Sequence, residues 1–134
     1  MDSMRIVVAG ATVSTYETLA ALIRHGADVV GVLQLRGESS HTVTGFAKLD
    51  ELASPHEIPC ATFRNINDAE IVEQVRQWQP DLMFVVGLSQ LVRAEMMAIP
   101  PRGCVGFHPT FLPAGRGRAP LAWLTLEAQP RAAT

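Results

Sequence analysis

The strongest local signal in the chain is Gly103-Cys-Val-Gly-Phe-His108-Pro-Thr-Phe-Leu-Pro113-Ala-Gly-Arg116-Gly-Arg118-Ala-Pro120. His108 closes an apolar run, and histidine is a residue type that hydrogen-bonds or relays protons; a lone histidine at a strand end more usually has a structural partner. Arg116 and Arg118 stand on a glycine-rich loop as two forked cations suited to a phosphate or carboxylate, with a solvated loop as the plainer reading. A second candidate, Gly10-Ala11-Thr12-Val13-Ser14, leads from an apolar run into a helix, where free amides and the helix dipole can receive an anion. It lacks Gly-x-Gly-x-x-Gly, so dinucleotide binding is not supported, and its local pattern alone is that of a simple turn. A third, Gly87-Leu88-Ser89-Gln90-Leu91-Val92, has the pattern of a strand-to-helix connection. Cys60 and Cys104 lie in strand-like runs with neither metal-ligand spacing nor a disulfide framework, and are expected to be reduced, buried and structural.

Strands and helices in alternation position these residues. Met4 to Ala9 is a short β-branched run ending at Gly10, the form of a buried parallel strand. Ser14 precedes Glu17 by three residues, a capping-box spacing, and Leu19, Leu22 and Ile23 then recur at helical intervals as far as His25-Gly26. Asp28 to Leu33 and Ile58 to Phe63 read as the next strands, with a short helix near Phe46 to Leu52 and a polar, mobile loop from Gln34 to Gly45. Asn67 or Asp68 caps a helix carrying Ile71, Val72, Val75 and Trp78, which ends before Pro80. Leu82 to Val86 and Cys104 to Phe107 complete the strands. Right-handed crossovers then give a Rossmann-like, doubly wound parallel sheet of about five strands in the order 3-2-1-4-5. Ligands bind such sheets at the carboxyl ends of the strands, so all three candidate loops are expected on one edge.

A chain of 134 residues forms one domain, 1–134. With 48% hydrophobic and 18% charged residues and a net charge of −2, neither disorder nor whole-surface polyanion binding is expected. The opening apolar run is too short for a signal peptide or a membrane span, so the expected compartment is the cytoplasm. Leu121, Trp123, Leu124 and Leu126 are expected to form a buried helix face, and Trp78, Met83, Met96 and Met97 to be packing residues. His25 and His41 have no partner by pattern, and His56 sits in a turn.

Over nearly its whole length the chain resembles the folate-dependent formyltransferases. The resemblance rests on the Met-Arg-Ile-Val-Val-Ala-Gly start and on His-Pro-Thr-Phe-Leu-Pro placed behind Pro80-Asp81-Leu82 and Gly87. It implies transfer of a formyl group from 10-formyltetrahydrofolate to a primary amine through a tetrahedral intermediate. His108 would be the catalytic histidine, supplying a hydrogen bond or a proton relay. Gly87 to Val92 would cradle the pterin through backbone groups, which would free Ser89 and Gln90 from being particular residues; Gly87→Val would crowd that loop. Gly10, Ala11, Thr12, Arg116 and Arg118 would meet the amine substrate.

The family asparagine two residues before the histidine is Gly106 here, and losing one oxyanion donor costs roughly 10²–10³ in rate in other enzymes. The family aspartate has no matching position, so the chain reads as an incomplete, apparently truncated domain or as a fragment of a longer enzyme. The favoured acceptor is a small phosphorylated amine or amino-sugar nucleotide. Methionyl-tRNA is the second, less favoured acceptor, served by Arg93, Arg102, Arg116 and Arg118 if they cluster on one face. The competing class is a catalytically inactive binding or interaction domain. An uncovered fifth strand invites a homo-oligomer.

Overall fold

A computed structural model describes residues 3–37 and 43–133. His41 and the middle of the Gln34 to Gly45 loop therefore lie outside the described residues. Five parallel strands form a single sheet in the order β3-β2-β1-β4-β5. They are β1 (Arg5–Gly10), β2 (Asp28–Leu35), β3 (Cys60–Phe63), β4 (Leu82–Val85) and β5 (Cys104–Gly106). Between and after them run α1 (Val13–Arg24), α2 (Asp50–Ala53), α3 (Ala69–Trp78), α4 (Ala94–Met97) and α5 (Pro120–Leu126).

The central strands are apolar on both sides because each face of the sheet is covered. On one face Val7 and Ala9 of β1, Leu33 and Leu35 of β2 and Met83 of β4 pack against Ile71, Val72 and Val75 of α3 and Met96 of α4. On the other, Ile6, Val8, Val29 and Val32 meet Leu19 of α1, Ala53 of α2 and Leu49, which precedes α2. The alternation along β1 is the period of two that sends successive side chains to opposite faces. It continues in β2, where Gln34 points toward the α2 side and its Oε1 accepts from the Asp50 amide at 2.9 Å.

The amino ends of β1 and β4 are tied to the end of α3. The Arg5 guanidinium donates to the carbonyls of Gln79 (3.0 Å) and Trp78 (2.6 Å), covering acceptors that the helix end leaves open. Asp81 Oδ2 accepts from the Arg5 amide at 2.8 Å. Gln79 closes α3 in the left-handed region (φ 49), and Pro80 follows it.

Several expectations are corrected here. The first helix begins at Val13 with Thr12 at its cap, not at Ser14; the Thr12 amide donates to Thr15 Oγ1 at 3.2 Å, so the reciprocal pair is Thr12 and Thr15. Gln34 and Leu35 belong to β2 and are buried, so the loop starts after them. The short helix lies at Asp50–Ala53, later than Phe46 to Leu52, and a 3-10 turn at Ser54–His56 extends it. Both cysteines are half-buried rather than buried. Burial and the nearby Asp50 carboxylate push the Cys60 thiol up to about 11, and burial also raises Cys104.

The expected apolar face of α5 is exposed: Leu121, Trp123 and Leu126 all lie open, and α5 contributes no buried residue. Met97 is exposed too, whereas Met83 and Met96 are core. Periodicity shows which side of a helix is apolar but not whether another element reaches it.

One packing contact went unread in the sequence. Gly31 lies beneath the Trp78 indole, and a β-carbon there would collide with the ring. Gly31→Ala is therefore expected to destabilise the domain by about 1–3 kcal/mol through overpacking, read as a lower urea midpoint with an unchanged slope; a midpoint equal to wild type would show that the ring moves aside freely.

Candidate active-site wall

Because β1, β4 and β5 are adjacent and parallel, the segments that leave them emerge from one edge of the sheet. Gly10 and Val85 end strands paired through Ala9 and Val85, and Gly106 pairs with Val85 in turn. The structure thus brings the Gly10 to Ser14, Gly87 to Val92 and His108 segments to the carboxyl edge, at the point where strand order reverses.

Between β1 and β4 this edge is filled by protein. Thr15, fully buried, donates its hydroxyl to the Val86 carbonyl, and Gly10 and Gly87 both lie against it. Gly87 has φ +67, and a β-carbon on it would strike Thr12 and Thr15. A valine at this position would therefore crowd Thr12 and Thr15 at the start of α1. The amides expected to be free are engaged as well. Ala11 donates to the Gly87 carbonyl (3.1 Å), Thr12 to Thr15 Oγ1 and Val13 to the Gly45 carbonyl (2.9 Å). The amides of Ala11, Thr12 and Val13 are thus partnered within the fold.

The Gly87 to Val92 loop presents two sides. Leu88 and Val92 pack inward on the core, while Ser89 and Leu91 face out, Leu91 at 82% exposure. Gln90 is half-buried, and its carboxamide bonds the backbone at Ile66 and Arg64 (2.8 and 2.7 Å). The expectation that its identity is free is corrected: no shorter or apolar side chain makes both bonds.

His108 follows the short strand β5. Its Nε2 lies 2.8 Å from the Gly115 carbonyl, and a carbonyl only accepts, so in the neutral ring Nε2 carries the hydrogen. Nδ1 is then the unprotonated acceptor. Thr110 is buried beside Gly115, with its amide donating to the His108 carbonyl (2.8 Å). Its Oγ1 is buried without a hydrogen-bond partner among the described residues, an uncommon condition for a polar atom. Arg116 and Arg118 lie on the exposed part of the same loop. Arg102 does not join them: its amide bonds the Asp81 carbonyl, at the amino end of β5.

Gly106, two residues before His108, is not required by the backbone. A β-carbon there meets only the Val85 carbonyl, at an ordinary 3.5 Å. Two hollows, of about 470 and 770 Å³, lie elsewhere, lined by Asp81 and Pro101 and by Pro59 and Cys60. Both sit at amino ends of strands, and neither is lined by His108. Among the described residues there is no group of acidic, histidine and cysteine side chains able to hold a metal ion, and no helix long and apolar enough to cross a membrane.

The family model described as formyl transferase matches residues 4–131. The methionyl-tRNA formyltransferase of Geotalea daltonii is 34% identical over 128 residues, covering 92% of this chain and 40% of that protein. That of Clostridium perfringens is 30% identical over 128 residues, covering 94% and 41%. The chain thus spans about two-fifths of the length of the curated relatives it matches. Among solved structures, a phosphoribosylglycinamide formyltransferase from Bacillus halodurans superposes with a TM-score of 0.70 at 20% identity, over 93% of this chain and 66% of that one. A formyltetrahydrofolate deformylase from Pseudomonas syringae gives 0.70 at 16%, over 94% and 42%. These likenesses agree with the sheet order and speak to the fold.

Neutral His108 is expected to be the Nε2–H tautomer. Long-range proton–nitrogen NMR of the imidazole checks this, and a protonated Nδ1 in the neutral ring would contradict the Gly115 contact.

Proposed function

The chain belongs to the formyl transferase family, and from that premise we propose that its carboxyl edge binds 10-formyltetrahydrofolate and directs the formyl group to a primary amine. The observation that carries this is the His108 ring, whose Nε2 lies against the Gly115 carbonyl, so that in the neutral form Nδ1 is left as acceptor. When bound, the folate supplies an activated formyl group. His108 Nδ1 would take the proton that the attacking amine must lose, and the imidazolium would return it to the folate nitrogen that leaves as its bond to the formyl carbon breaks. The exposed outer side of Gly87 to Val92, with Leu91, Ser89 and the loop backbone, receives the pterin. Arg116 and Arg118 meet an anionic part of the acceptor.

As acceptor, methionyl-tRNA is favoured over a small phosphorylated amine, because the curated relatives near one-third identity are methionyl-tRNA formyltransferases. The cytoplasm and a single domain over 1–134 are part of the same proposal. A second reading, binding without turnover, is favoured by Gly106, which offers no side-chain donor near His108.

Calorimetric titration with a stable 10-formyltetrahydrofolate analogue tests the site. Wild type and His108→Ala are expected to bind, and Leu91→Asp, altering an exposed side chain, to bind more weakly. No binding at about millimolar analogue removes the folate site from this chain. A formyl-transfer assay on methionyl-tRNA separates the two readings: if chemistry is present and short of a donor, Gly106→Asn raises turnover by roughly 10²–10³, whereas no turnover in either form favours the binding domain.

Oligomerisation belongs to the proposal as well. Among the described residues β5 is an edge strand, its Val105 and the following Phe107 are about half exposed, and an open edge pairs readily with another chain. Sedimentation is expected to show concentration-dependent association; a strict monomer with slow amide exchange in β5 would refute it.

A further inference from the structure

The Gly87 to Val92 loop is held from outside by two carboxamides working in opposite directions. Gln90 reaches from the loop to the connection between β3 and α3, where Oε1 accepts from the Ile66 amide (2.8 Å) and Nε2 donates to the Arg64 carbonyl (2.7 Å). One donor and one acceptor offered to residues two apart is what a neighbouring strand would present to that backbone. Asn67 reaches back the other way. Its Nδ2 donates to the Leu91 carbonyl (2.8 Å) and its Oδ1 accepts from the Arg93 amide (2.8 Å). Asn65 Oδ1 accepts from both the amide and Nδ2 of Asn67 (2.9 and 3.1 Å), which orients that side chain.

These contacts lie outside every helix and strand ladder. Arg93 caps α4 and Asn67 precedes the Asp68 cap of α3, so the clasp joins the starts of two helices across the loop. Ile66 is fully buried, and a buried residue's amide is costly to leave unpaired. The loop residues Ser89 and Leu91, by contrast, are exposed and lend no packing of their own.

We propose that Gln90 and Asn67 are positioning residues that fix the loop backbone in its ligand-binding shape by locking it to the connection between β3 and α3. The proposal rests on the reading that this loop receives the folate. A side-chain clasp explains how an outward-facing loop presents fixed backbone groups: the ordering is supplied before the ligand arrives, so binding does not have to supply it. Linkage makes the effect reciprocal, and a ligand that needs the clasp must tighten it by the same factor.

The test is titration of the whole chain with the folate analogue, joined to amide exchange at Ile66 and Arg93 with and without it. In wild type the analogue is expected to slow exchange at both amides. Gln90→Leu, which removes both bonds at similar volume, is expected to weaken binding about tenfold and, by leaving the Ile66 amide unpaired, to lower the urea midpoint as well. Gln90→Glu keeps the acceptor for Ile66 and loses the donor to Arg64, so it should fall between; it carries the comparison should Gln90→Leu fail to fold. Binding by Gln90→Leu equal to wild type overturns the positioning role and leaves the folate reading standing. Absence of binding in wild type itself overturns the folate reading, and with it the ligand role of the clasp, even if both amides prove protected.

Discussion

Gly10 and Gly87 meet Thr15 where there is no room for a β-carbon, and the functional edge of the sheet is arranged around that contact. β1 and β4 lie side by side, yet the chain leaves them in different directions. In doubly wound sheets this divergence opens a crevice. Here the Thr15 hydroxyl on the Val86 carbonyl, together with the Ala11 amide on the Gly87 carbonyl, closes the crevice floor. A side chain at either glycine would push α1 away from the sheet. The edge between β1 and β4 is thus filled, while the Gly87 to Val92 loop and the His108 segment emerge on the β4 and β5 side.

The two loops are held differently. The first is anchored inward by Leu88 and Val92 and outward by Gln90 and Asn67, so its backbone is held on both sides. The His108 segment hangs from a three-residue strand at the sheet edge and is held by local bonds, His108 to Gly115 and Thr110 to His108. Its neighbours Phe111 and Leu112, like Leu121, Trp123 and Leu126 of α5, are exposed. One loop is tied on two sides; the other carries His108 on local bonds alone.

Charge plays a local part. The net charge is small, and the exposed Arg76 is paired with Glu73 and Glu95 far from His108. What matters at the wall is hydrogen-bond direction. A carbonyl against Nε2 selects the tautomer and so decides which ring nitrogen is left to work.

The sequence alone determined the sheet. Short β-branched runs ending in glycine and separated by helical spacing have one low-strain solution, since crossovers are right-handed and both faces must be covered. The same reasoning placed three loops on one edge and singled out His108. It misplaced what depends on partners distant in the chain. Thr12 and not Ser14 caps α1, because Thr15 has a role against β4 that no local spacing reveals. The amides of Ala11 and Val13 are taken by Gly87 and Gly45, so a turn that looks free is occupied. Gln90 looked interchangeable because its two partners lie 24 and 26 residues away. The α5 face read as core because apolar periodicity records a surface seeking cover, and only the tertiary structure decides whether any element covers it.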